Sequence, residues 1–260
     1  MSPSKQRRQM VRGCKARTFS GLTSPKRVIM IKRFLYPYLF LFIVLAACGN
    51  QDKDNNAQNI YPYSQEMPLR VGNSWTYKVT RYEGFNSDDM MTVSSTMTDS
   101  VSHFETNGDF LVATIQSVRS AEVLVDLLGN YPVTNSLQPA TTKIYWLIVD
   151  GNRVLRQDDK LNLSDLQSRV LVEFVFPINL DSQWSISNAK DAPLNQKVTK
   201  AGSITVPAGT FTGCFYLEGD IGGMTFDEWI CPGIGVVWYN AEHHGTPFGN
   251  RQELVSYNVK

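Results

Sequence analysis

Nowhere in these 260 residues does an apolar run reach the roughly 20 positions that a helix needs to cross a bilayer. Helix-forming patterns are scarce, histidine occurs three times and cysteine four. The signatures of the commoner enzyme classes are missing as well: there is no G-x-S-x-G, H-E-x-x-H, G-x-G-x-x-G or P-loop pattern. Asp52, Asp54 and Asn56 alternate like the opening of a calcium loop, but the glycine at its sixth position and the glutamate at its twelfth are lacking. These absences argue against a helical span, and they leave no metal site and no cofactor to expect.

What is present begins with an apolar run over residues 34–47, bounded by Lys32 and Arg33 before it and by the polar stretch from Gln51 to Asn56 after it. Its 14 residues make about 21 Å of helix, too short for a span. A basic n-region, an apolar h-region of this length and small residues ahead of a cut form the pattern of a secretory signal. The stretch Leu45-Ala46-Ala47-Cys48 resembles the lipobox of bacterial lipoproteins. That resemblance implies that Cys48 becomes the first residue of the mature chain, with a diacylglyceryl thioether on its sulfur and a further acyl chain on its amino group. Two or more acyl chains anchor a protein stably, whereas one does so marginally. Gly49 stands where an aspartate would resemble an inner-membrane retention signal, so the resemblance leans toward the outer membrane.

Residues 1–29 are more than such a signal needs, and Met30-Ile31-Lys32-Arg33 would itself make an ordinary signal start. The basic stretch "SKQRRQMVRGCKAR" therefore reads as sequence ahead of the true start rather than as a nucleic-acid patch. Residues 1–47 hold 10 of the 25 Lys and Arg residues and no acid, so residues 48–260 keep 15 basic against 24 acidic side chains, a net charge of −9. An acidic exported chain is a poor candidate for nucleic-acid binding. Residues 48–66 are polar and read as a flexible tether, leaving residues 67–260 as a single domain.

Past Met67 the periodicity is that of strands, rich in Val, Ile, Thr, Tyr and Phe and punctuated by turn signals every 8 to 12 residues. Asn107-Gly108 and Asp150-Gly151 are placed as two-residue hairpin turns, and Pro207 with Gly209 marks a third hairpin. One short helix is allowed, over residues 161–170, capped by Asn162 or Ser164. The fold class is all-β: an antiparallel meander forming a curved sheet, half-barrel or sandwich. A motif also occurs twice, from Pro68 to Trp75 and, 109 residues later, from Pro177 to Trp184. It reads either as a trace of duplication or as a shared way of turning into a strand.

The segment "GCFYLEGDIGGMTFDEWICPG" is the most informative. With Gly222-Gly223 as the turn, Cys214 faces Cys231 in a non-hydrogen-bonded pair, a separation a disulfide spans. Phe215, Leu217, Ile221, Met224, Phe226 and Ile230 then share a core face. The other face carries Tyr216 opposite Trp229, Glu218 opposite Asp227 and Asp220 opposite Thr225. Glu218 with Asp227 is open to an acid/base or calcium reading, although a solvated acidic face accounts for the pair. Glu228 is a lone acid on the apolar face, at its rim or in a cavity. Glu242-His243-His244 offers adjacent ligands that a strand would point to opposite sides, and His103 stands alone. Trp75, Tyr77, Trp146, Trp184 and Trp238 serve as core or as the wall of a ligand cavity.

The stretches "PLRVGNSWTY", "ITVPAGTFTGCFYL" and "PGIGVVWYN" resemble bacterial envelope lipoproteins that share a G-N-x-W domain start, a V-P-A-G-T-F hairpin and a late P-G-x-G-x-V turn. The resemblance implies the fold and the compartment, and it supplies no active residue. The expected role is a noncatalytic binding or envelope-assembly module whose partners are the membrane, through its lipid, and a small apolar ligand or an envelope protein. The alternative is an envelope hydrolase, for which Glu218, Asp227, Glu228, His243 and His244 are the residues to mutate first. A deep cavity favours the first reading, and a cleft in which Glu228 meets a histidine favours the second. Replacing Cys48 by serine is expected to release the protein from membranes or to stall its processing. Fractionation and mass spectrometry of the N-terminal peptide check this, and an unmodified peptide spanning Ala47 and Cys48 in the major cellular form would refute it.

Overall fold

The computed structural model describes residues 66–133, 137–158, 160–165, 171–186 and 195–260. The segment 1–47, Cys48 and all of the tether but its last residue lie outside the described residues. Thirteen strands follow one another: β1 (Ser74–Asn86), β2 (Asp89–Asn107), β3 (Phe110–Arg119), β4 (Val123–Leu127), β5 (Thr141–Asp150), β6 (Arg153–Gln157), β7 (Leu171–Val175), β8 (Gln183–Ser185), β9 (Asn195–Val206), β10 (Gly209–Ile221), β11 (Met224–Cys231), β12 (Gly235–His243) and β13 (Phe248–Asn258). Of the expected helix over residues 161–170, the described residues 161–165 hold the 3-10 turn Leu163–Asp165, whose Ser164 N–H is capped by Asn162 Oδ1 at 3.2 Å, and residues 166–170 lie outside the described residues. No described helix is long and apolar enough to cross a membrane.

All pairings are antiparallel, and the sheet order is β7-β6-β5-β3-β2-β1-β13-β12-β11-β10-β9-β8, with β4 paired to β2 beside β3. The first strand lies beside the last, and an arm of the meander runs outward from each. The arms end in β7 and β8, which meet where Val172 N–H donates to the Ile186 carbonyl at 2.8 Å. Of the three shapes open to the sequence, the sheet takes one step past the half-barrel and is a nearly closed barrel. Its outer face carries exposed Lys78, Thr96, Lys197 and Glu218, whereas a barrel set in hydrocarbon turns apolar side chains outward.

Alternation along each strand sets what points inward. On β1, Trp75, Tyr77 and Val79 are buried while Lys78 is exposed. Val79, Val198, Leu217 and Leu254 have at most 1% of their surface accessible, so each contributes about 1.5–3 kcal/mol through burial. Two hydrogen bonds tie β1 past β13 to the start of β12: Trp75 Nε1 donates to the Ile234 carbonyl at 2.6 Å, and the Tyr77 hydroxyl to the Val236 carbonyl at 3.0 Å.

The hairpins follow the sequence with one systematic difference. Asn107 pairs with Phe110 and Asp150 with Arg153, so the turn residues are Gly108-Asp109 and Gly151-Asn152, one position later than Asn-Gly and Asp-Gly would put them. Gly108 and Gly151 have φ of 63° and 60°, and a glycine in the first turn position is what the Gly-first hairpin turn requires. At β9–β10, Val206 pairs with Gly209 around Pro207-Ala208, and at β10–β11, Ile221 pairs with Met224 around Gly222-Gly223.

The two copies of the tryptophan motif turn into their strands by the same device. Asn73 N–H donates to the Arg70 carbonyl at 2.9 Å, and 109 residues on, Ser182 N–H donates to the Asn179 carbonyl at 3.0 Å. Each turn then docks on a neighbouring strand by a reciprocal pair of backbone bonds, Gly72 and Asn73 with Val101, Asp181 and Ser182 with Val198. Gly72 has φ of 87° and Asp181, its counterpart, φ of 66°. Aspartate is among the few residues that accept this left-handed region, which is how the second copy works without the glycine.

Cys214 and Cys231 are joined, with an S–S distance of 2.07 Å and a Cα separation of 4.2 Å. They extend the ladder in which Phe215 pairs with Ile230 and Tyr216 with Trp229. Both are buried, and so is Ile230, which points to the opposite face, so the root of this hairpin is covered on both faces. Because the bond links residues 17 apart, replacing both cysteines by alanine is expected to lower stability by about 2–4 kcal/mol with the fold retained. Urea unfolding with circular dichroism checks this, and a loss below about 0.5 kcal/mol would show that the bond does not restrain the unfolded chain.

Candidate interior binding site

The interior of the barrel holds a cavity of about 470 Å³. Strands around the barrel supply its wall in steps of two residues, as strand alternation dictates: Trp75 and Tyr77 from β1, Tyr145 and Leu147 from β5, Phe226 and Glu228 from β11, Asn250 and Gln252 from β13. Asp99, Arg156, Asp158, Glu173, Gln196 and Tyr239 add to its polar part, and Leu69, Ile115, Phe174 and Ile186 to its apolar part. Phe226 lies over Gly219, its cross-strand partner, where an added Cβ would come within 2.2 Å of the ring. The glycine is thus the condition for that wall. A second cavity of about 270 Å³ sits between Phe176, Ile178, Phe215 and Ile230 and is largely apolar.

The charged groups fall into two sets. Arg156 donates to Asp158 Oδ1 at 2.7 Å and to Glu173 Oε1 at 3.3 Å, and its guanidinium carbon lies 4.2 Å from the centre of the Tyr145 ring. Burial works against its charge, and Glu173, Tyr145 and Asp158 more than offset this. The Tyr145 hydroxyl donates to Asp99 Oδ2 at 3.1 Å. On the other side, Gln196, with 2% of its surface accessible, donates from Nε2 to Glu228 Oε1.

Desolvation disfavours the ionised form of a buried acid. It pushes Glu228 up to about 8, with the charge of Glu173 adding to it and the Gln196 hydrogen bond opposing it. Burial likewise raises Glu173 against the pull of Arg156, and Asp99 against the Ser117 and Tyr145 hydroxyls. Tyr77 and Tyr145 are held far above the usual phenol range by burial, and Tyr239 is pushed up to about 12 by burial, then by Glu228 and Glu173. At neutral pH the site therefore offers a protonated Glu228, a committed arginine and a set of neutral phenols.

The residues singled out in the sequence are distributed rather than gathered. Glu228 points into the cavity. Glu218 and Asp227 oppose each other on the outer face, where burial, the Tyr216 hydrogen bond working against it and the Glu218 charge leave Asp227 raised. His243 and His244 are exposed at the end of β12, with His243 Nδ1 2.9 Å from Thr246 Oγ1. His103 is exposed and 3.4 Å from Glu105. Of the aromatics, Trp75 and Tyr77 line the cavity, Trp184 is core and Trp238 stands 6.5 Å from Tyr216 in an outer row with Trp229. Among the described residues no group of three or more His, Cys, Asp or Glu could hold a metal ion. Asp99, Arg156, Glu173 and Gln196 escaped the sequence reading. Glu173 carried the signal that had marked Glu228, an acid alone in an apolar run, here "LVEFVF".

Fold and interior together define a nearly closed antiparallel barrel with a polar-lined central cavity. No protein-family model and no curated protein matches the chain. Among solved structures, it is similar to a protein of Bacteroides fragilis named as an exported protein with a YmcC-like fold, at a TM-score of 0.41 and 9% identity, over 73% of this chain and 96% of that one. It is also similar to a protein of Parabacteroides distasonis named as a lipoprotein, at a TM-score of 0.37 and 12% identity, over the same shares.

A folded-state value for Glu228 above its unfolded one means that the native protein holds an extra proton between about pH 5 and pH 8. The contribution of Glu228 to stability is accordingly full below that window and is lost as pH rises through it. Glu228→Gln retains an acceptor for Gln196 and removes this part of the slope, while Asp99 and Glu173 keep theirs. The variant is expected to gain about 1–3 kcal/mol on the wild type between pH 5 and pH 8, measured by urea unfolding at each pH. Parallel pH profiles for the two proteins would show that Glu228 is hydrated.

Proposed function

We propose that this chain is a lipid-anchored bacterial envelope protein whose barrel is a noncatalytic binding module, with the interior cavity as the seat of a small ligand. The cavity carries the reading. Its volume lies within the range of small-molecule sites, and it combines an apolar wall with a few convergent polar groups whose proton affinities are displaced. Up-and-down barrels commonly use their interior in this way. A binding role is favoured over a hydrolytic one because Glu228 in the cavity is hydrogen-bonded to Gln196, while the chain's histidines stand on the exterior. The lipobox at Cys48 supports the anchor, and the Cys214–Cys231 bond suits an oxidising compartment outside the cytoplasm. Gly49 after the cysteine favours the outer membrane.

Native mass spectrometry of the protein taken from its own membranes is expected to show a bound small molecule. Val236→Trp, which fills the cavity from β12, is expected to lose it while the disulfide and the circular dichroism of the barrel persist. Bare wild-type protein, or a ligand retained equally by the filled variant, would overturn the reading.

A further inference from the structure

Resting on the binding role proposed above, we infer that the cavity selects a small amphiphile with a cationic head, an organic ammonium seated between Asp99 and Glu228. The acids and the single base of the lining do not balance. Arg156 is engaged by Asp158, Glu173 and the Tyr145 ring, so it has little left to offer an anionic ligand. Asp99 and Glu228 are met by neutral donors, the hydroxyl of Tyr145 and the amide of Gln196. Asn250 Oδ1, in the same lining, is buried without a hydrogen-bonding partner and is a further acceptor. The unmet demand of the cavity is thus for donors and positive charge.

The wall between the two carboxylates is aromatic. Tyr77 lies in the field of both Asp99 and Glu228, with Trp75 two residues earlier on the same face of β1 and Tyr239 paired with Glu228 from β12. Ring faces attract cations, most strongly where water is excluded, and paired carboxylates with aromatic faces are what an ammonium group is recognised by. An anion would have to displace the Arg156 pairs, whereas an ammonium favours the ionised form of both acids, so that Glu228 gives up on binding the proton it holds at neutral pH. The remaining wall, with Leu69, Ile115 and Ile186, accepts an apolar body.

The test uses the full-length lipidated protein in nanodiscs, with empty nanodiscs as blank, and three water-soluble probes of one shape: 4-phenylbutylammonium, 4-phenylbutyrate and 4-phenylbutanol. Titration calorimetry at pH 8 is expected to give the cation about tenfold or more the affinity of either other probe, the equivalent of one buried charge pair. Glu228→Gln and Asp99→Asn are each expected to weaken the cation by about fivefold or more and to leave phenylbutanol unchanged, with the circular dichroism of both variants native. Equal or tighter binding of phenylbutanol or phenylbutyrate would overturn the cationic selection while leaving the cavity a binding site. If none of the three binds, the binding reading falls and this inference with it. Loss of cation and alcohol binding together in the variants would show a collapsed cavity and would also overturn the assignment of these carboxylates.

Discussion

The pairing of β1 with β13 is the constraint from which the rest of the structure follows. It joins Trp75 to Tyr257, so about 180 residues of chain are closed into one ring of strands. For a flexible chain that closure costs about 4–5 kcal/mol of entropy, and the return comes from the β1–β13 ladder itself and from the interior that packs behind it. Trp75 and Tyr77 reinforce the join by reaching across to the carbonyls of Ile234 and Val236. A fold so dominated by a distant first contact is expected to form slowly compared with helical proteins of its size. The disulfide does not assist this step, since it staples a hairpin whose turn already sets its register.

The cavity is a product of the same closure. Asp99, Tyr145, Arg156 and Glu173 come from the arm running outward from β1, and Gln196, Glu228 and Tyr239 from the arm leading back to β13. Neither arm holds a balanced set of charges. Joined, they put three carboxylates with raised proton affinity inside one barrel, where hydrophobic residues would stabilise it more. A protein tolerates such a cost where the groups do something else, and displaced proton affinities in a concave site are a sign of that. Arg156 softens the arrangement by satisfying Glu173, and it thereby sharpens the contrast with Glu228.

The legible part of this molecule was whatever local chemistry decides. Gly222-Gly223 set the β10–β11 register, and the pairs Glu218–Asp227 and Tyr216–Trp229 came with it. Pro207 with Gly209 did the same for β9–β10. The Asn-Gly and Asp-Gly signals found the right hairpins but the wrong pair of turn residues, because either phase places a glycine in the turn and packing on the sheet decides between them. Glu228 was visible as an oddity because it shared a predicted face with Phe226 and Ile230. Asp99 and Arg156 were not, since their strands alternate less cleanly and their meaning lies in partners on other strands of the same arm, Tyr145 for Asp99 and Glu173 for Arg156. Closure itself has no local signature, as the bonds that make it join chain ends.

The repeated tryptophan turn shows where local and global order meet. Both copies hold a left-handed residue, Gly72 in one and Asp181 in the other, three positions before a buried tryptophan that enters the barrel. Each docks on the strand that follows through the same two backbone bonds, to Val101 and to Val198. One copy launches the outward arm at β1, and the other launches the return at β8 beside the seam. The replacement of glycine by aspartate argues that what is held in common is a backbone conformation and a tryptophan, the least that a strand needs to begin with its alternation in the correct phase. Phase matters here more than usual, because a shift of one residue at either start would turn Tyr77 or Ile186 out of the cavity. The two turns therefore fix, from opposite sides of the barrel, which side chains the cavity receives.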